Sequence, residues 1–227
     1  MASTNPNINH DFSPVLKKYI FDEEKVGDVF LPTGKIICGD PFFMDYVQPF
    51  KHAVAPGKYP VVISIYKVED GHHRVAYGRI RFSDAAPTRW EQAITEDLTD
   101  EQVDSIQAGE FFGYGVDAGL ACFTDAETNL MFTKAMGDFY QKDETKNYYD
   151  HLLAAEFKAS AGSNPLSRAE GDWNNHYPIK GDERNVVMFS SGWGDGTYPV
   201  YWGYDGKGNV VELITDFGVV GYDDMEE

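Results

Sequence analysis

The sequence predicts an α+β domain built on a mostly antiparallel β-sheet or sandwich, with a few helices inserted in the middle of the chain. Segments with strand character lie at both ends of the chain, whereas helical patterns gather between about residues 99 and 160. Two pairs of strand candidates are joined by short turns that contain Asp-Gly, which is typical of antiparallel hairpins. Regular alternation of strands and helices is absent, so an α+β arrangement is favoured over a parallel α/β one.

The composition is that of a folded chain with one domain. Hydrophobic residues make up 42% and aromatic residues 15% of the 227 residues, which is too apolar for a disordered chain. No long stretch rich in Pro, Ser and Gly divides the chain in two. We therefore expect an N-terminal arm at residues 1–27, a single domain at residues 28–218 and an acidic C-terminal tail at residues 219–227.

The first structured segments follow the polar residues 1–14. Residues 15–21 are compatible with either a short helix or a strand, because seven residues do not resolve the period. Residues 28–31 and 35–38 are apolar segments separated by Pro32-Thr33-Gly34. Proline presets one backbone φ and glycine supplies a positive one, so these two segments are predicted to form a hairpin.

The strongest hairpin signal joins residues 59–68 to residues 74–82. Both segments are rich in β-branched and aromatic residues, and the connection Glu69-Asp70-Gly71-His72-His73 contains Asp-Gly. Within the first strand, Val61, Ile63 and Ile65 alternate with their neighbours, which indicates that at least one face is buried.

Helical signals follow in the middle of the chain. Thr99-Asp100-Glu101-Gln102 has the pattern of a capping box and is predicted to begin a helix over residues 99–107. Residues 111–123 are interrupted by glycine and are predicted to form a strand with a bend. Asp125 is predicted to cap a helix of about a dozen residues. A second helix is expected from residue 147 or 148 to residue 160.

The last third of the chain is predicted to contain a loop and three strands. Residues 161–184 are poor in apolar side chains, which indicates a long surface loop. Strands are predicted at residues 185–190, 197–204 and 209–215. The turn Asp205-Gly206-Lys207-Gly208 joins the last two as a hairpin.

The net charge limits the classes of partner. The chain carries 37 acidic and 19 basic residues, a formal net charge of −18, so its field repels nucleic-acid phosphates and anionic lipid surfaces. We expect no nucleic-acid or membrane partner. The same field accelerates encounter with a basic protein, although acidity for solubility alone is an equal alternative.

Two cysteines and the amino terminus bear on the compartment. Cys38 and Cys122 lie in separate apolar segments and are predicted to be buried free thiols, because a disulfide framework would be denser. The amino terminus lacks a basic segment followed by an apolar one, and no apolar segment approaches the length of a membrane span. We therefore expect a reducing, cytoplasmic location.

A glycine-rich segment at residues 190–199 is the densest local pattern. Trp193, Asp195 and Tyr198 lie in it, and Tyr201 and Trp202 follow it; all five are candidates for a binding surface, since Tyr and Trp are common interface anchors. The structural alternative is that the glycines supply positive φ, Asp195 makes an Asx turn, and the rings pack in the core.

Aspartates beside glycines at predicted strand ends are the candidates for catalysis. Asp40, Asp117, Asp195 and Asp216 would form the acid/base set of a hydrolase if they converged. Asp117, Asp125, Asp195 and Asp216 would instead suit a divalent cation such as Ca²⁺ or Mg²⁺. For Asp40 the simpler interpretation is a turn cap, because Asp-Pro often starts turns. No Zn, P-loop, dinucleotide or nucleophile-elbow motif is present, so no other cofactor is expected.

Four segments together resemble a known family. They are Ile37-Cys38-Gly39-Asp40-Pro41, Pro56-Gly57-Lys58-Tyr59-Pro60-Val61, Gly115-Val116-Asp117-Ala118-Gly119 with Cys122-Phe123-Thr124-Asp125, and Ser191-Gly192-Trp193-Gly194-Asp195-Gly196-Thr197-Tyr198-Pro199-Val200-Tyr201. In this order they resemble the bacterial domain-of-unknown-function 4241 family over about residues 28–218. Families of this kind often occur beside toxins and their immunity proteins. The resemblance implies no catalytic residues.

These observations favour a cytoplasmic protein-binding module over an enzyme. In its sharpest form the expected function is that of an immunity or antagonist protein that neutralises a basic toxin or effector. This expectation rests on the charge of −18, the aromatic content and the absence of a catalytic signature. One alternative is a hydrolase that uses the aspartate cluster or a bound metal, and another is a structural or scaffold protein.

Overall fold

The computed structural model describes residues 5–162 and 164–221. The strands are β1 (Asp22–Leu31), β2 (Ile36–Gly39), β3 (Gly57–Glu69), β4 (His72–Arg81), β5 (Arg89–Gln92), β6 (Gly113–Val116), β7 (Leu120–Asp125), β8 (Trp173–His176), β9 (Val186–Ser190), β10 (Gly196–Tyr204) and β11 (Val210–Asp216). The helices are α1 (Ser13–Lys18), α2 (Asp100–Ser105), α3 (Ala126–Lys142) and α4 (Ala154–Ser160), and a π-helical turn, Tyr149–Leu153, leads into the last of these.

Two antiparallel sheets contain these strands. The large sheet has the order β1-β3-β4-β11-β10-β5, and β6 pairs with the first half of β10, at residues 196–199. The small sheet has the order β2-β7-β9-β8. Every strand pair is antiparallel. The predicted α+β class with a mostly antiparallel sandwich is confirmed.

The small sheet lies between the large sheet and the helices α3 and α4. Along β7, Ala121 and Phe123 belong to the core between the two sheets, whereas Leu120 and Cys122 belong to the core against the helices. Successive side chains of a strand point to opposite faces, so a strand covered on both sides is apolar throughout. This explains why all six residues of β7 are buried.

Residues 12–21 of the predicted arm pack on the outer face of the large sheet. Phe12 is fully buried and makes edge-to-face contacts with Trp90 and Tyr201. Residues 15–21, for which the sequence is compatible with either helix or strand, contribute to the helix α1. The first strand begins at Asp22, earlier than the predicted residue 28. The acidic end of the predicted tail, residues 222–227, lies outside the described residues.

The predicted hairpin between residues 28–31 and 35–38 is wrong. β1 pairs with β3 in the large sheet, and β2 pairs with β7 in the small sheet. Gly34 has the expected positive φ of 73°, but the turn passes from one sheet to the other because Thr33 donates through its backbone N–H and its hydroxyl to Asp125. Turn chemistry alone does not select the strand partner.

Two further predictions are wrong. Residues 111–123 form two strands in different sheets, β6 and β7, rather than one bent strand. The predicted loop at residues 161–184 contains β8, an edge strand of the small sheet. Its last residue, His176, is held by side chains of the helical layer: Tyr148 Oη lies 2.9 Å from Nε2, and Glu156 Oε2 lies 2.9 Å from Nδ1.

Elements with local signals are confirmed. The hairpins β3–β4 and β10–β11 form as predicted. The capping box at Thr99 and Gln102 is present in both directions and begins α2. Asp125 caps α3, which extends over 17 residues. Short β5 lacks a sequence pattern and was missed.

Candidate functional site

A cleft of about 680 Å³ opens where the edges of the two sheets diverge. We call it the edge cleft; it is lined by residues within 38–50, 93–98, 112–117 and 196–200. β2 is one of the two edge strands of the small sheet, and β6 is the edge strand beside the first half of β10. Phe50 lines the cleft and connects its walls, because its N–H donates to Ile36 O at 3.0 Å and the residue forms an isolated bridge with Thr95.

Asp40 fixes one wall of the edge cleft to the other. Its side chain is almost fully buried, with the residue 1% exposed. Oδ1 accepts the N–H of Phe42 at 2.9 Å, and Oδ2 accepts the N–H groups of Asp117 and Ala118 at 2.9 and 2.8 Å. The predicted turn cap is confirmed, and the same carboxylate also holds the end of β6. These bonds make it a structural residue.

The floor of the edge cleft is a neutral polar cluster. Tyr114 Oη lies 2.8 Å from Thr215 Oγ1, and the Cys38 thiol hydrogen-bonds to both. Burial raises the pKa of the Cys38 thiol and the pKa of the Tyr114 hydroxyl well above their ordinary values. Because burial disfavours the charged forms, both groups are neutral at physiological pH.

The two thiols are expected to resist thiol–disulfide exchange in the folded protein. Cys38 and Cys122 are free and buried, as predicted, and burial raises the pKa of both. Since the thiolate is the reactive form, each should react with a disulfide reagent roughly 100-fold more slowly than free cysteine. Thiol titration before and after denaturation in urea checks this. If native protein released one equivalent of the reagent's thiol within seconds, the burial of the cleft floor would be contradicted.

The rim of the edge cleft carries exposed aromatic and acidic side chains. Phe43 is 50% exposed and Tyr46 is 87% exposed, although large aromatic side chains are usually buried. Asp97 and Asp117 are also exposed. Among the described lining residues there is no Lys, Arg or His. The rim therefore combines apolar rings with uncompensated negative charge.

Two lysines next to the segments that line the cleft already have acidic partners. Lys35 Nζ lies 2.8 Å from Glu96 Oε1, and Lys51 Nζ lies 3.3 Å from Asp100 Oδ1. Both pairs are partly exposed and contribute little to stability. Because these lysines are already paired, the carboxylates of Asp97 and Asp117 are not neutralised by them.

The predicted aspartate cluster is not formed. Asp40 and Asp117 both line the edge cleft, but Asp125 is buried at the start of α3, and Asp195 is exposed in the loop before β10. Asp216 is buried next to Thr215 and therefore points to the opposite face of β11. In residues 5–162 and 164–221, no group of three or more His, Cys, Asp or Glu side chains is suited to hold a metal.

Three of the five predicted binding residues are core residues. Tyr198, Tyr201 and Trp202 are buried, so their prediction as surface anchors is wrong. Strand β10 is covered on both faces, which turns its aromatic residues inward. Trp193 and Asp195 are exposed.

The glycine-rich loop at residues 190–199 forms a tight turn, which was the structural alternative to a binding role. Gly192 and Gly194 have positive φ values of 56° and 106°. The Ser191 hydroxyl, rather than the Asp195 carboxylate that was predicted, closes the turn by donating to Gly194 O at 2.9 Å. Trp193 packs beside Arg74, whose guanidinium carbon lies 5.3 Å from the ring centroid.

Sequence reasoning did not identify the rim as one site. Phe43 was not predicted as a site residue, and the other rim residues were not placed together, since the cleft is built from segments that are distant in the sequence. The resemblance was one available signal, because segments 37–41, 115–119 and 191–201 all contribute to the lining.

Comparison with known proteins places the chain in a family. No helix in the described part of the chain is long and apolar enough to cross a membrane. No curated protein and no solved structure matches the chain. The model of a family described as "Protein of unknown function (DUF4241)" matches residues 29–215, which is most of the chain. The chain belongs to the DUF4241 family of proteins of unknown function.

Proposed function

We propose that this chain is a cytoplasmic bacterial protein-binding module that recognises a basic partner protein through the edge cleft. The observation that carries the proposal is the composition of the cleft, in which exposed aromatic rings and open carboxylates occur together with no cation among the described lining residues. Such a surface is complementary to a segment that carries both positive charge and apolar side chains.

The aromatic rim would supply most of the affinity. Aromatic residues are enriched among the few side chains that dominate interface energies. Burying an exposed side chain of this size contributes about 2 kcal/mol. Tyr46 and Phe43 are the two cleft residues with the most exposed apolar surface. They are the expected anchors of the interface.

The carboxylates would supply orientation and rate. The net charge of −18 attracts a basic partner at a distance, and Asp97 and Asp117 direct its cations to the cleft. Complementary potentials raise association rates and are weakened by salt.

A basic toxin or effector is the partner that we propose, with the chain acting as its immunity or antagonist protein. Covering a basic active surface would be sufficient for inhibition. The buried free thiols Cys38 and Cys122 support a reducing compartment.

Charge reversal at the rim is expected to abolish partner capture. The double variant Asp97→Lys/Asp117→Lys places two cations where the partner's cations bind, so retention should fall at least about tenfold, equivalent to about 1.4 kcal/mol. The measurement is affinity capture from a lysate of the producing cell at about 50 mM and about 300 mM salt, with quantitative mass spectrometry.

The matched control is Asp84→Lys/Glu170→Lys, which changes the net charge equally at exposed positions outside the cleft. Wild-type protein and control should retain one basic protein in stoichiometric amount and lose it as salt rises. If both double variants lose the same protein equally, or if wild-type protein retains none, the cleft is not the binding site.

A further inference from the structure

Gly115 is a glycine that the fold itself does not require. It lies within β6 and lines the edge cleft. Its φ lies outside the positive range that favours glycine, and a Cβ added there would meet no heavy atom beyond its chain neighbours within 4 Å. Gly113 differs, because its added Cβ would lie 2.8 Å from Tyr198 O. Glycine weakens a strand, and in a strand interior it often marks the close approach of a ligand or another backbone.

The strand that contains Gly115 has one paired edge and one open edge. Gly113–Val116 pairs with Gly196–Pro199 of β10. Beyond this strand, the N–H groups of Asp117 and Ala118 donate to Asp40. In the described part of the chain, no other strand pairs with β6. An open strand edge is a template for the addition of another strand.

The open edge and the acidic rim lie at the same cleft. β6 contributes four residues, which corresponds to an edge of about 13 Å at about 3.3 Å per residue. Side chains of an extended segment alternate between two faces. A segment that alternates basic and apolar residues can therefore direct its cations to Asp97 and Asp117 and its apolar side chains into the cleft.

We propose that the partner enters the edge cleft as an extended basic segment that adds to the open edge of β6, with its backbone running beside Gly115. This inference rests on the proposed function and specifies how the partner is recognised. Main-chain hydrogen bonds supply affinity in strand addition, and the alternating side chains supply specificity. A side chain at position 115 would occupy the space on the face of β6 that the opposing side chain of the added segment needs.

Variants at two glycines test the inference. Gly115→Val should lower the affinity for an extended basic segment at least about tenfold, and Gly115→Ala should lower it less. Neither should lower the Tm, since added side chains favour strand formation and enter open space. Gly137→Ala is the matched control, because Gly137 is an exposed glycine of α3 that also has open space around it. It should leave the affinity unchanged.

The probes are labelled eight-residue peptides whose binding is followed by fluorescence anisotropy. One peptide alternates Lys or Arg with Val or Phe, a second has the same composition with the basic residues in one block, and a third is the alternating peptide with N-methyl groups on every second amide. The alternating peptide should bind best. The N-methyl peptide, which has lost backbone donors, should bind at least about tenfold more weakly.

The outcomes separate this inference from the proposed function. If the alternating peptide binds but Gly115→Val and N-methylation have no effect, strand addition is wrong and recognition of a basic segment remains. If spermine competes at the same concentration as the peptide, the cleft selects small cations, and strand addition is wrong. If no peptide binds, strand addition is again wrong, and the capture experiment with the rim variants decides the proposed function.

Discussion

Replacing Asp40 by Ala is expected to lower the free energy of unfolding by about 3–5 kcal/mol. The carboxylate is buried and accepts three backbone N–H groups, from Phe42, Asp117 and Ala118. Its removal leaves these donors without their acceptor and detaches the end of β6 from the end of β2. Urea denaturation followed by circular dichroism measures the loss.

The control for this prediction is Asp97→Ala. Asp97 lines the same cleft but is exposed. Substitutions of exposed residues usually change stability by less than about 0.5 kcal/mol. A loss below about 1 kcal/mol in the Asp40 variant would show that the walls are held together by other contacts.

Replacing Asp216 by Asn is expected to stabilise the protein at pH 8 and to remove a pH dependence. Asp216 is 5% exposed and accepts one bond, from the N–H of Gly218. Burial raises its pKa from the ordinary 3.8 to about 7. One proton is therefore retained in the folded protein over a pH range in which the unfolded chain has lost it.

The sign of this dependence follows from proton linkage. Between about pH 4 and pH 7 the unfolded state binds fewer protons at this residue than the folded state, so the contribution of Asp216 to stability falls as the pH rises. The difference corresponds to about 4 kcal/mol by pH 8 if the whole shift is realised. The amide of Asn does not titrate and avoids this loss.

Denaturation of the wild-type protein and the Asp216→Asn variant at pH 5, pH 6, pH 7 and pH 8 tests the linkage. The two stability curves should diverge as the pH rises, whereas Asp84→Asn, at an exposed aspartate, should run parallel to the wild-type curve. Parallel curves for the Asp216 variant would contradict a raised pKa at this residue.

The local part of the fold could be predicted from the sequence, and the partner choice of the strands could not. Asp70-Gly71 and the Thr99 capping box act through neighbouring residues, and both elements form as predicted. The chain around Gly34 has the turn chemistry of a hairpin but passes between sheets. That outcome depends on Asp125, which is remote in the sequence.

The candidate site was less accessible to sequence reasoning. Tyr201 and Trp202 were predicted at a binding surface, but strand β10 is covered on both faces and buries them. Tyr46 and Asp97 lie in segments that are distant in the sequence, and they line one cleft only in the folded chain. A cleft between sheet edges has no fixed spacing in the sequence.

Hydrogen exchange with the captured partner tests the central claim most directly. Purified chain and purified partner are mixed at low salt, and amide exchange is followed by mass spectrometry with and without the partner. Binding in the edge cleft predicts slower exchange in residues 43–50, 93–98 and 112–117, with no change in α3. Protection confined to α3 and α4, with those three segments unchanged, would contradict the account.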